Sequence, residues 1–162
     1  WPLVSRKMQE ILDIYPRVKG IQILNDMGDY MFSQYAGNWI PDSPARRRAI
    51  LDRLAAWTPF SNSSPVEGIT TAIRRFYAAD KKISLYVFGD DFSGTGMQAV
   101  IETVRRQNKT AGKDSRVRIH TVGFPVLLDQ PGATQNAARF AALMRRLAEE
   151  NNGSFVGLNS LQ

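Results

Sequence analysis

Two pairs of aspartates each follow an apolar segment of the chain. Asp26 and Asp29 come just after the first apolar segment, and Asp90 and Asp91 come just after a later one. Crowded carboxylates repel one another unless a cation or hydrogen-bond donors neutralise them. An oxygen-only cluster without cysteine or histidine ligands suits a hard ion such as Mg²⁺, Mn²⁺ or Ca²⁺. The pattern leaves two alternatives, a hard-cation site or aspartates that cap turns.

Composition excludes several classes of site. The 162 residues contain no cysteine and one histidine, His120, which rules out disulfide scaffolds, zinc fingers, iron–sulfur sites, thiol nucleophiles and multi-histidine metal sites. Hydrophobic residues are 43% and charged residues 22%, as in ordinary globular proteins. No apolar run approaches the roughly 18 residues of a membrane-spanning helix. We expect a single domain over residues 1–162, cut from a longer protein, since the chain begins at Trp1; the compartment is left open.

Hydrophobic periodicity predicts alternating strands and helices. Short apolar runs predict strands at residues 20–24, 83–88, 117–122 and 154–158. Amphipathic stretches predict helices at residues 3–15, 43–57, 66–79, 97–108 and 135–151, the second opened by a capping Ser43 and by Pro44. The segment 31–40 is compatible with a helix turn, a strand or a loop.

Alternation of this kind predicts an α/β fold: a doubly wound, mostly parallel sheet flanked by helices in a Rossmann-type three-layer sandwich. Ligands of such sheets bind beyond the carboxyl ends of the strands. That rule selects Asp26 and Asp29 after the first strand, Asp90 and Asp91 after the second, and Phe124 after the third.

Four segments in order resemble the von Willebrand factor type A domain. IQILNDMGDYM at 21–31 is similar to the first strand and its Asp-x-Ser-x-Ser-Met motif, and YVFGDD at 86–91 to the strand ending in Thr-Asp-Gly. VRIHTVGF at 117–124 resembles the strand ending in Ile-Gly, and LAEENNGSF at 147–155 the last helix with its glycine stop. The match spans about residues 20–158, and residues 1–19 form an N-terminal helix outside it.

This resemblance implies a metal-ion-dependent adhesion site at which a partner's carboxylate completes the shell of a bound Mg²⁺. Asp26 and Asp90 match the two aspartates, and Ser64 stands for the loop threonine. Gly28 and Tyr30 replace the two serines, so the resemblance implies either a working site for Mg²⁺, Mn²⁺ or Ca²⁺ or a degenerate one. Asp29, Tyr30, Asp91 and Phe124 would form the ligand-binding rim. The family's antiparallel strand pair has room here for one short strand at most, which trims one edge of the sheet.

The resulting expectation is a non-enzymatic module that binds a protein partner through the strand-end loops, because no nucleophile is paired with a base. The alternative is a haloacid-dehalogenase-like, Mg²⁺-dependent phosphatase, although its Asp-x-Asp is broken by Gly28. A third alternative is a nucleic-acid-binding domain, suggested by the net charge of +6. The arginines come as scattered doublets on predicted helix faces, so no nucleic-acid partner is expected.

Overall fold

The computed structural model describes residues 2–94, 96–111, 114–124 and 133–158, without the side chain of Ala133. The elements run in the order α1 Pro2–Ile14, β1 Gly20–Ile21, β2 Ile40–Pro41, α2 Pro44–Ala56, α3 Val66–Phe76, β3 Ser84–Gly89, α4 Met97–Asn108, β4 Arg118–Gly123, α5 Ala133–Glu150 and β5 Phe155–Gly157. A short 3₁₀ turn lies at Ser33–Tyr35. All five predicted helices are present, and Ser43 caps α2 by accepting a hydrogen bond from the Arg46 amide at 3.2 Å.

The central sheet is parallel and has the strand order β3-β4-β5. Its register places Gly89, Gly123 and Gly157 side by side at the carboxyl ends of the three strands. The main core packs α3, α4 and α5 against one face of this sheet, with Ile73, Ile101, Ile119 and Leu143 fully enclosed. Burial of such side chains supplies about 1.5–3 kcal/mol each. The coarse α/β prediction is confirmed as a three-stranded parallel sheet flanked by helices.

A second, smaller core joins α1 and α2 to the opposite side of β3. Met8 and Leu12 of α1 meet Leu54 of α2, and Phe88 of β3 packs against them. Arg47 then ties the two helices together. It forms a bidentate ion pair with Asp42 at 2.6 and 2.8 Å and donates to the Leu12 and Tyr15 carbonyls at 2.6 Å. This arrangement fixes the chain that leads into the first apolar segment.

The first predicted strand differs from its prediction. Of residues 20–24, the structure pairs Gly20 and Ile21, and their partner is antiparallel β2 in a separate two-stranded sheet. The Ile23 amide donates to the side-chain oxygen of Gln22 at 2.9 Å. That amide is therefore not available for a hydrogen bond to a neighbouring strand. Leu24 then forms a single antiparallel bridge with Tyr30. The apolar composition of residues 20–24 indicated a buried segment, but it did not indicate which strand this segment pairs with.

Segment 31–40 contains the 3₁₀ turn followed by β2, so one short strand occupies the interval, as the sequence predicted. Within the described residues, no helix combines the length and apolar character needed to cross a membrane.

Candidate functional site

Asn25 is the centre of the first acidic loop, residues 25–29, which we call the aspartate loop. Its side chain is buried, with 8% exposed. The side-chain oxygen accepts from the amides of Met27 at 3.1 Å and Asp29 at 2.7 Å. The side-chain nitrogen donates to the Asp29 carboxylate at 2.9 Å and to the Phe60 carbonyl at 3.4 Å. One asparagine thus closes the loop and fixes its neighbour, and the motif-based prediction missed it.

Asp26 binds a second loop, residues 61–64, which we call the serine loop. Its Oδ2 accepts from the Ser61 hydroxyl at 2.7 Å and from the Asn62 amide at 3.1 Å. The predicted Ser64 takes no part in that contact. Its amide donates to the Asn62 side chain at 3.1 Å, and Ser61 is the serine that reaches Asp26. A run of four polar residues offered no signal for choosing among them.

Helix α3 packs directly on the aspartate loop through a glycine. The Gly68 amide donates to the Asp26 carbonyl at 2.7 Å, and a Cβ on Gly68 would lie 2.6 Å from the Asn25 carbonyl oxygen. Gly28 has a φ of +91°, and a Cβ there would lie 2.8 Å from the Thr71 hydroxyl oxygen. Two glycines therefore allow a close approach that side chains would prevent.

Tyr30 lies away from the predicted rim. Its ring meets Phe76 edge-on, with centroids 6.3 Å apart, in the half-buried layer beneath the loop. The phenol oxygen is buried and has no hydrogen-bond partner among the described residues. Tyr30, which the resemblance aligns with a ligand serine, therefore packs against another side chain.

The second acidic loop has a different environment. Asp90 is exposed and lies beside Gly123 and Phe124, and Asp91 accepts a hydrogen bond from the Phe92 amide at 2.7 Å. Phe124 stacks on Phe88 with the ring centroids 6.0 Å apart. The Ser93 amide donates to the Ser63 carbonyl at 3.3 Å, so this loop also meets the serine loop. Through the serine loop, the aspartate loop and the loop after β3, residues 90–94, therefore meet at one edge of the molecule. We call this surface, together with residues 60–64, the carboxyl edge.

These residues do not fit the Mg²⁺ shell that the resemblance implies. Magnesium takes a near-octahedral set of oxygen ligands. Gly28 supplies no side-chain oxygen, the Tyr30 ring packs against Phe76, and one Asp26 oxygen already accepts two hydrogen bonds. No three acidic or histidine side chains within the described ranges are grouped as a metal site would require.

Two exposed apolar side chains flank Asp26, and neither was selected from the sequence. Phe60 is 76% exposed and Met27 is 37% exposed. The Phe60 carbonyl accepts from Asn25 at 3.4 Å, and the hydroxyl of the following residue, Ser61, donates to Asp26 at 2.7 Å. Phe60 follows Thr58 and Pro59 and belongs to no periodic pattern of apolar residues. The sequence therefore does not indicate whether its side chain is exposed or buried. The acidic side chains of Asp29 and Glu67 are also exposed on this part of the molecule.

His120 lies on the sheet, away from both acidic loops. Its ring stacks on Tyr86 with centroids 4.7 Å apart, and its Nδ1 accepts from the Ser154 amide at 3.2 Å. The Ser154 hydroxyl is 3.0 Å from the same nitrogen. Burial, and secondarily the charge of Arg118, lowers the pKa of His120 below its usual value. The surroundings of the imidazole therefore disfavour its charged form.

Comparisons with protein-family models, with curated proteins and with solved structures found no match to this chain. The geometry of the carboxyl edge is therefore the basis on which a function is inferred.

Proposed function

We propose that this chain is a protein-binding module of the von Willebrand factor type A kind, and that it binds its partner through the carboxyl edge without a bound metal ion. The observation that carries the proposal is Phe60, a large apolar side chain that is 76% exposed and whose carbonyl accepts a hydrogen bond from Asn25 at 3.4 Å. Exposed aromatic anchors on rigid backbone are typical of binding hot spots, because little conformational entropy is lost when they are buried.

The serine loop, which directly follows Phe60, is ordered by hydrogen bonds to Asp26 and within the loop. Ser61 and Asn62 donate to Asp26, and the Ser63 amide donates to the Ser61 hydroxyl at 3.1 Å. Asp26 thereby acts as the acceptor that orders the loop, which is a role a carboxylate can fill without a cation. The proposal therefore keeps the fold and the binding surface that the resemblance implies, and it leaves out the metal ion.

The surface also indicates the chemistry of the partner. Met27, next to Asp26 in the aspartate loop, is a second exposed apolar side chain, and the exposed carboxylates of Asp29 and Glu67 lie on the aspartate loop and on helix α3. A complementary partner would offer an apolar pocket for Phe60, rimmed by lysine or arginine side chains. Charge complementarity at such a rim raises the association rate more than the final affinity.

Site-specific photocrosslinking tests the proposal. A benzophenone amino acid would be placed at Phe60, and at Ile14 and Val156 as matched controls, since these are exposed apolar residues elsewhere on the chain. In extracts of the source cells we expect one discrete protein adduct from position 60. Unlabelled protein should compete for it, whereas F60S protein should not.

Adducts of equal yield from all three positions, or equal competition by F60S, would contradict the proposal. Hydrolysis of a phosphomonoester that requires Mg²⁺ and is lost in D26A would instead support the phosphatase alternative. Binding to DNA that weakens steeply with salt would support the nucleic-acid alternative.

A further inference from the structure

A cavity of about 500 Å³ opens between the carboxyl ends of β4 and β5 and helix α5. Phe140 and Phe155 line it together with Gly123 and Ala141, and two charged residues, Asp90 and Arg145, also line it. Its volume lies within the range of small-molecule sites, which are mostly apolar with a few polar groups. The resemblance assigns Asp90 to a metal site and Phe124 to a ligand-binding rim, but it assigns no role to the cavity that both residues line.

The three aligned glycines explain how the aromatic rings come to lie there. A Cβ on Gly89 would lie 2.9 Å from the Phe140 ring, and a Cβ on Gly123 would lie 3.4 Å from it. The Phe155 ring lies 3.5 Å from the same point on Gly123 and 3.3 Å from that on Gly157. Because the strands carry no side chains at this level, the tips of both rings approach the sheet, where Phe140 is almost fully buried and Phe155 is half-buried.

The two charged residues of the cavity, Asp90 and Arg145, are both exposed. The Arg145 guanidinium lies over the Phe155 ring, with its carbon 5.5 Å from the centroid. Its neighbour Arg146 is bound to Glu150 at 3.0 Å, whereas neither Arg145 nor Asp90 forms an ion pair within the described part of the chain. Opposite charges beside one apolar cavity favour a ligand that carries both signs itself.

We propose that this cavity binds a small aromatic zwitterion with the chemistry of an aromatic amino acid. The ligand ring packs against Phe140 and Phe155, where aromatic contacts add to the apolar area buried. The carboxylate pairs with the Arg145 guanidinium, which suits a planar, bidentate acceptor. The ammonium group pairs with the Asp90 carboxylate. This assignment is independent of the Phe60 surface.

Isothermal titration of the 162-residue chain with L-tryptophan, L-tyrosine and L-phenylalanine tests the assignment. We expect saturable binding of at least one of them at a dissociation constant below about 1 mM. Phenylethylamine, which lacks the carboxylate, and 3-phenylpropanoate, which lacks the ammonium group, should each bind about tenfold more weakly.

The variants R145Q and D90N should each weaken binding about tenfold, whereas R146Q serves as the matched control and should bind as the unmodified chain does. A141L should block the cavity and abolish binding, with its thermal unfolding recorded to verify folding. If A141L fails to fold, R145Q decides, since Arg145 is exposed.

Absence of binding by the unmodified chain up to about 10 mM ligand would overturn the proposal. Equal affinity for the amino acid and for both truncated analogues would also overturn it, as would unchanged binding by R145Q. Failure here leaves the photocrosslinking result at Phe60 unaffected, so the two proposals fail separately.

Discussion

The two acidic loops of this protein have similar sequences and opposite environments. The aspartate loop is closed: Asn25 makes four hydrogen bonds, and Asp26 binds the serine loop. The loop after β3 is open, with Asp90 exposed and Asp91 bonded to the next amide. The same residue type after an apolar segment is therefore structural in one loop and accessible in the other. The difference is set by what packs across each loop.

Helix α3 makes the first loop closed. Gly68 brings the helix into contact with the backbone of Asn25 and Asp26, and Thr71 covers Gly28. A buried asparagine then satisfies backbone amides that water would otherwise solvate, as buried polar groups require. The second loop has no such cover over Asp90, which lies instead beside a cavity. Variants that exchange or remove these contacts test the comparison directly.

The largest effect is expected for Asn25. N25A removes four hydrogen bonds and leaves two buried or half-buried amides without their acceptor, which should destabilise the protein by about 3 kcal/mol. D90A should change the free energy of unfolding by less than about 0.5 kcal/mol, because Asp90 is exposed. Urea unfolding of both variants measures the difference. If N25A and D90A reduced the free energy of unfolding equally, the two loops would not differ in the way described.

A smaller effect is expected at Gly28, where the resemblance would place a serine. G28S combines a φ of +91° with a Cβ 2.8 Å from the Thr71 hydroxyl, so it should cost about 2–3 kcal/mol and create no metal site. Gly37 is the matched control. It has a φ of +73° and nothing within 4 Å of a Cβ, so G37A should cost only about 1 kcal/mol of backbone strain. A stable G28S protein that gains Mg²⁺ affinity would show that the loop is a metal site lacking one ligand.

Asp42 provides a third aspartate, which is held by an ion pair. The Arg47 guanidinium holds the pKa of this carboxyl below its usual value. A native pKa below the unfolded-state value, near 3.9, contributes stability that is fully present above that value and is lost as the pH falls through the lower native pKa. We expect D42N to be less stable than the unmodified chain at pH 7 and the difference to shrink by pH 3. Denaturant midpoints at the two pH values measure it, and a difference that is independent of pH would contradict this assignment.

The sequence predicted the elements better than it predicted their contacts. Apolar periodicity placed all five helices, and the runs at 83–88 and 117–122 were found as neighbouring parallel strands. It failed at residues 20–24 because pairing depends on Gln22, whose side chain takes the Ile23 amide and donates to the Tyr35 and Asn38 carbonyls. A side chain that competes with a neighbouring strand for a backbone amide cannot be recognised from the pattern of apolar residues.

The metal and rim roles that the sequence suggested for the acidic loops stay predictions. The acidic residues were selected correctly as loop residues beyond apolar segments, but their roles depend on contacts across the chain. Ser61 rather than Ser64 reaches Asp26, and Tyr30 turns toward Phe76. Phe60 and Asn25 were missed because neither residue type carries a motif, although one is exposed and the other buried. Long-range packing, here of α3 on residues 25–28, decides these outcomes.

Thermal unfolding of the chelator-stripped protein with added Mg²⁺, Mn²⁺ or Ca²⁺ tests the central claim, that Asp26 orders a loop and does not hold an ion. An ion at about 100 times its dissociation constant would add roughly 2.7 kcal/mol. That would raise the melting temperature by about 5–10 °C in a domain of this size. We expect no rise beyond that given by NaCl of equal ionic strength. A rise of several degrees that disappears in D26A and D90A would contradict the account and establish a metal-dependent adhesion site.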